Sequence, residues 1–276
     1  MANSRNLKKR IRLVKNIAKV TKAMQVAASL KMKKSQEAAL ASRLFSQKLS
    51  QIASLVVGEK QIITNENIDL VLIAPDRGLC GSLISTLERG LKKWVESVGV
   101  SHVRIFCINK KATVIARRLG LDIIGVFDIS VAKPDLTKMG AVVQMLSDDL
   151  KKDVVGKCLV GYAQFENLMS QKFAISQILP FEAESISDAN VDILVEPNKA
   201  EVYENLVPRS MRLKLYQTIL ETAASEFSAR AMAMKSASDN ARDISVFLTS
   251  EYNKDRQASI TAQIAEVIGA GLSSES

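Results

Sequence analysis

The 276-residue sequence predicts an α/β fold, with two long terminal helices forming an antiparallel coiled coil around an inserted α/β domain of mostly parallel sheet. Three observations predict it. All five prolines lie between Pro75 and Pro208, and ten of the twelve glycines lie between Gly58 and Gly161, so residues 1–57 and 209–268 contain neither helix breaker. Apolar residues in both end segments step by three and four, as in a coiled-coil seam. The middle of the chain alternates short apolar runs with helical stretches, the pattern of βαβ units.

The first element, residues 1–57, is rich in Ala, Leu, Lys, Gln, Arg and Met, which favour helix. At ~1.5 Å per residue it is too long to bury its apolar stripe inside a small domain. Its seam is read as Leu13, Ile17, Val20, Met24 and Ala27. The Rossmann-like insert, residues 68–185, follows. Its strands are read as Leu70–Ala74, Val103–Ile108, Ile123–Phe127 and Cys158–Phe165, with helices near Ser82–Val98, Lys111–Leu119 and Leu136–Leu150. A fifth strand near Lys172–Leu179 is placed antiparallel at the edge. The last element, residues 209–276, has its seam at Met234, Ala237, Ala241, Ile244 and Leu248. Small residues such as Ala27-Ala28-Ser29 and Ala223-Ala224-Ser225 allow close approach of two backbones. The same spacing also fits two ordinary amphipathic helices of a bundle.

Composition excludes several classes. Hydrophobic residues make up 47% of the chain, too many for disorder. Cys80, Cys107 and Cys158 are odd in number and lack metal-like spacing, which argues against a disulfide scaffold and for a reducing compartment. With His102 as the single histidine, no multi-histidine metal site exists. No apolar run reaches the ~20 residues of a membrane span, and the amino terminus lacks an apolar signal core. A soluble, intracellular chain is expected. Residues 1–60 hold 14 Lys and Arg against 2 Asp and Glu, so the net charge of +9 belongs to the first helix. Such a helix suits nucleic acid, an anionic membrane or an acidic protein surface. Against the first two, it carries a single aromatic, Phe45, and an alanine-rich apolar face.

Asp76-Arg77-Gly78-Leu79-Cys80-Gly81-Ser82 follows the first strand and opens a helix. No Gly-Lys-Ser/Thr follows, so it reads as a tight structural turn (Asp76, Arg77, Gly78, Gly81) rather than a phosphate loop. Arg77 is left free to pair with a neighbouring element. Cys80 opens a helix, yet His102 has no sequence reason to lie close, so a structural cysteine is expected. Asp148-Asp149 and Glu182/Glu184 read as solvated acids. No nucleophile, base and orienter assemble, so the chain is expected to have no catalytic residues, cofactor, metal or direct small-molecule ligand. On residues alone, a basic coiled-coil hairpin binding nucleic acid or membrane, or a small α/β enzyme using Cys80 or the glycine turn, stand as rivals.

Four stretches resemble the gamma subunit family of the rotary ATP synthase, in order and over the whole length. They are Ile17 to Ser29 with Lys31-Met32, Asp76 to Gly81, Glu226…Arg230…Met234 with Asp239-Asn240-Ala241, and Asn253 to Thr261 with Glu266-Val267-Ile268. The resemblance implies a central rotor shaft inside a ring of alpha and beta subunits, with a foot on the membrane ring of c subunits and the epsilon subunit, and no partner nucleic acid. It implies coupling of proton-driven rotation to catalysis at sites the chain does not contain. It also implies a peripheral place on the cytoplasmic face of the bacterial inner membrane; no transit peptide precedes Met1, which suggests a bacterial chain or a mature organelle chain with its leader removed.

By the same resemblance Met24, near Lys22, faces the beta subunits. Arg256, Gln257, Thr261 and Gln263 fall at the upper catch, and Glu196 of Glu196-Pro197 falls at the foot with epsilon and the membrane ring. Gln263 stands where the family commonly has an acid, leaving room for a neutral hydrogen bond rather than a charged catch. Phe227 and Ala231 replace residues usual around Arg230, and Ile193 and Val195 replace aromatics by the foot. No cysteine-bearing inserted loop is present, so thiol regulation is not expected.

Overall fold

A computed structural model describes residues 2–57, 65–180, 196 and 198–274. Helix α1 runs Ala2–Val57. Strand β1 (Ile68–Ile73) leads to α2 (Leu83–Val98), β2 (Val103–Ile108), α3 (Lys110–Arg118), β3 (Asp122–Phe127), α4 (Met139–Lys151), β4 (Lys157–Phe165) and β5 (Gln171–Leu179), and helix α5 spans Lys199–Ser274. The chain divides into two units, one of residues 1–27 and 231–276, the other of residues 28–230.

The larger unit is built on a five-stranded sheet of order β3-β2-β1-β4-β5. The first four strands are parallel and β5 pairs antiparallel with β4, Gly161 opposite Ile175. Leu70 and Leu72 point to one face, where Leu87 and Leu91 of α2 and Ile115 of α3 cover them. Val71 and Ile73 point to the other, beneath Val142 and Leu146 of α4. That second face is closed by α5 itself. Val207, Met211, Leu215, Ile219, Ala223 and Phe227, near one per turn, form a stripe buried in the same core. The carboxyl-terminal helix is thus a layer of the α/β domain.

Its start also differs from the boundary drawn at Pro208. The helix begins at Lys199, where the Asn198 side chain accepts the Glu201 N–H at 2.8 Å as a cap. Pro208 lies inside it, leaving the Glu204 carbonyl without its usual donor. Farther along α5, around Glu221 and Phe227, the second half of α1 packs on it, with Ala28, Ser35, Ala39 and Ser46 buried. Lys31 lies over the Phe227 ring and Arg43 pairs with Glu221 at 3.0 Å, so the two helices run antiparallel.

The smaller unit is a two-helix hairpin, and its seam corrects the sequence reading. In α1 the shielded positions are Leu7, Ile11, Val14, Ala18, Thr21 and Gln25, stepping by three and four. The expected stripe lies one residue away from them. Leu13 and Val20 are 54% and 59% exposed, Ile17 and Ala27 are also exposed, and of the expected stripe only Met24 is half-buried. In α5 the seam is Ala231, Met234, Ser238, Ala241, Ser245 and Leu248, so the expected Met234, Ala241 and Leu248 belong to it, while Ile244 faces outward. The two helices approach closely at small residues, where the Ser238 hydroxyl donates to the Ala18 carbonyl at 3.3 Å, a side chain reaching the opposite backbone.

Candidate functional site

The turn after β1 is fixed from three sides. Gly81 at φ +58° takes a left-handed conformation that glycine adopts without cost, and Leu79 takes one too, at φ +62°. The Asp76 carboxylate accepts from Asn109 Nδ2 (2.7 Å), Ser130 Oγ (2.9 Å) and the backbone N–H groups of Val131 (3.0 Å) and Ala132 (3.3 Å). One side chain therefore ties together the loops that leave β1, β2 and β3. From α5, Glu226 accepts the Asp76 N–H at 3.0 Å while its other oxygen pairs with Arg230 one turn on. Arg230 in turn donates to the carbonyls of Arg77 (3.3 Å) and Gly78 (3.1 Å). It is the Arg77 carbonyl, with the side chain exposed, that meets the neighbouring element.

Ser225 Oγ donates to the Ala163 carbonyl and Ser228 Oγ to that of Leu168, both at 2.9 Å. This clasp sits at the carboxyl ends of the parallel strands, near the change of direction between β1 and β4. Doubly wound sheets hold ligands in such crevices. Here α5 occupies it. Cys80 is buried beside the clasp, and burial, reinforced by the Glu226 charge, pushes its thiol up from the ordinary range. His102 ends the short 3-10 turn before β2, and because β1 and β2 are parallel it lies at the opposite end of the sheet. The two form no catalytic pair.

On the hairpin, Arg256, Gln257, Thr261 and Gln263 are all exposed and Met24 is half-buried. Gln257 and Thr261 share one helix face, while Arg256, Ile260 and Gln263 share the next. Every described residue from Ile260 to Ile268 is exposed, among them Ile260, Ile264, Val267 and Ile268. A helix tip with branched apolar residues outward on several sides is a surface made for contact. Glu196 is exposed in a bend. Pro197, Ile193, Val195, Glu182 and Glu184 lie outside the described residues. Phe227 and Ala231, the two departures around Arg230, are both buried, and the Phe227 ring lies between Lys31 at 5.6 Å and Arg230 at 5.7 Å.

Among the described residues no group of three or more acids, cysteines or histidines is placed to hold a metal, and no helix is long and apolar enough to cross a membrane. The family described as ATP synthase matches residues 3–273. The chain is 33% identical to an ATP synthase gamma chain of Dehalococcoides mccartyi, covering 98% of both chains. It is 36% identical to that of Herpetosiphon aurantiacus, covering 97% of both.

The chain belongs to the ATP synthase gamma family.

Its fold is similar to that of chains in two solved assemblies. One is the Euglena gracilis mitochondrial ATP synthase, with TM-score 0.68 and 18% identity over 98% of this chain and 93% of that one. The other is the central stalk and c-ring of the Tetrahymena thermophila mitochondrial ATP synthase, with TM-score 0.63 and 23% identity over 79% of this chain and 99% of that one. Family membership gives the chain its role as a non-catalytic stalk subunit of an ATP synthase.

Sequence reading missed one cluster. Asp69 in β1 is wholly buried, Arg104 stands opposite it in β2, and Asp149 of α4 reaches Arg104 at 2.6 Å. Asp149 is therefore an ion-pair partner of Arg104, correcting its reading as one of two solvated acids. The signal was an aspartate immediately before the apolar run Leu70–Ala74, with an arginine near the start of the next apolar run.

Proposed function

We propose that the chain is the central rotor shaft of an ATP synthase, with the hairpin of residues 1–27 and 231–268 turning inside a ring of alpha and beta subunits. Met24, Arg256, Gln257, Thr261 and Gln263 serve as contacts to that ring. Glu196 serves at the foot, with the epsilon subunit and the membrane ring of c subunits. The assembly places the chain peripherally on the cytoplasmic face of a bacterial inner membrane. Residues 68–185, with the α5 layer, act as the body through which torque enters, and 1–57 and 209–276 as the shaft arms.

The observation that carries this reading is the α5 tip, where Ile260, Ile264, Val267 and Ile268 face outward around one helix. A lone apolar helix end is stable in water only if the rest of the helix is anchored, and it suits a bearing that turns against apolar walls. The clasp supplies the anchor. Torque applied to the α/β unit passes to α5 through Glu226 and Arg230, which hold the β1–α2 turn by its backbone and so tolerate no slip.

The test is reconstitution of the chain with purified alpha and beta subunits, followed by sizing and an ATPase assay. A stoichiometric, active complex is expected, with activity lost on removal of residues 257–276. Failure of the chain to join alpha and beta would overturn the reading.

A further inference from the structure

Asp69 is a buried acid whose one counter-charge, Arg104, is shared and stands off at 3.5 Å. Its side chain is 0% exposed, and no donor hydrogen-bonds either carboxyl oxygen. Arg104 Nε approaches Oδ1 only to 3.5 Å, while its Nη2 is committed to Asp149 Oδ2 at 2.6 Å. One guanidinium thus stands between two carboxylates, and ionising both leaves a buried net negative charge. Contact with the same guanidinium brings the Asp149 carboxyl up beside that of Asp69, and two carboxyl groups hydrogen-bond only when one carries a proton.

We infer that Asp69 and Asp149 share one bound proton, which joins α4 to the sheet, and that its loss loosens α4. The ligand is a proton from solvent and the site is built from β1, β2 and α4. The surroundings offer no competing charge. From β4, Cys158 lies opposite Asp69 as a buried thiol whose own ionisation burial opposes. From β3, Asp122 lies opposite Arg104 and is exposed. On α4, Asp148 turns to Gln144, and α5 meets this face through the apolar Met211, Leu215 and Ile219.

Burial pushes the Asp69 carboxyl up to about 7, with Arg104 opposing and Asp149 adding to the rise. A carboxyl raised on folding takes up a proton as the chain folds. Its contribution to stability is complete below the ordinary carboxylate range, and it is lost as pH rises through about 7.

The experiment is a carboxyl-carbon NMR titration of the full chain from about pH 5 to about pH 8.5, with hydrogen exchange of the α4 amides followed in parallel. One aspartate signal is expected to titrate near neutrality and to vanish in Asp69→Asn. After correction for intrinsic exchange, α4 amides are expected to open roughly tenfold more often at the top of the range than at the bottom. In Asp149→Asn, where Arg104 is freed for Asp69, the Asp69 midpoint is expected to drop. If every aspartate of the unaltered chain titrates below about 5, or if α4 exchange keeps the same pH dependence in Asp69→Asn, the inference is overturned.

Discussion

One helix carries two opposite environments. From Gln217 to Arg230 every residue of α5 is buried, whereas from Ile260 to Ile268 every described residue is exposed. The composition of the two stretches does not announce this. Glu221, Thr222, Ser225, Glu226, Ser228 and Arg230 are polar and buried, while Ile260, Ile264, Val267 and Ile268 are apolar and exposed. The buried stretch is specified by directional contacts: Ser225, Ser228, Glu226 and Arg230 bond loop backbones, Thr222 bonds its own helix at Thr218, and Glu221 pairs with Arg43. The exposed stretch presents unsatisfied apolar area and no directional contact. A fixed joint needs the first kind of surface, and a surface that turns against a wall needs the second.

The comparison breaks hardest at the clasp. Arg230→Ala leaves Glu226 as an uncompensated buried acid and strips two carbonyls of their donor, so a loss of about 3–5 kcal/mol is expected by urea denaturation. The double variant Glu226→Ala/Arg230→Ala should lose less than the sum of the two single changes, because neither charge is then stranded. Next comes Gly90 on α2, where an added Cβ would collide with the Phe173 Cβ of β5. Gly90→Ala gains helix propensity but must push the helix off the sheet, and a net cost of about 1–3 kcal/mol is expected in the same assay.

Within the hairpin seam, Ser238→Ala removes a single hydrogen bond to the Ala18 carbonyl, for about 0.5–1.5 kcal/mol. A much larger effect would mean that the hairpin is held by direction rather than by closeness. Smallest in stability is the tip: Ile264→Ser should stay within about 0.5 kcal/mol of the unaltered chain. In reconstitution with alpha and beta subunits, however, it should lower the ATPase activity that depends on this chain. If it destabilises the isolated chain instead, the tip is packed rather than presented.

Much of this was legible beforehand. The absence of helix breakers gave both long helices, and unbroken apolar runs gave β1, β2 and β4, because a parallel strand inside the sheet is buried on both faces and needs no alternation, while β3 at the edge showed the same run though half-exposed. The α1 seam was placed one residue off because Leu7, Ile11 and Val14 form an apolar stripe beside Leu13, Ile17 and Val20 of like size. Hydrophobic pattern does not choose between them, and the side that meets α5 is marked by the contact of Ser238 with the Ala18 backbone. Pro208 hid the first ten residues of α5, since a proline is a helix breaker by rule and is tolerated here only because the Asn198 cap and the core stripe hold the helix on both sides of it. Asp76, Glu226 and Arg230 were visible as motifs, but their junction is set by topology across 150 residues and has no local signal.

The hairpin seam has a mechanical consequence. Alanine has no side-chain rotamers and serine a single short torsion, so α5, which brings Ala231, Ser238, Ala241 and Ser245 to the seam, offers few alternative packings to Leu7, Ile11 and Val14 of α1. A seam with long, many-rotamer side chains on both helices would respond to twisting by repacking, and the work done on it would leave as heat. A seam whose α5 side is mostly alanine and serine has less to repack. Twist applied to it is held as elastic deformation of the helices and returned when the load is released, which makes the hairpin a spring rather than a clutch.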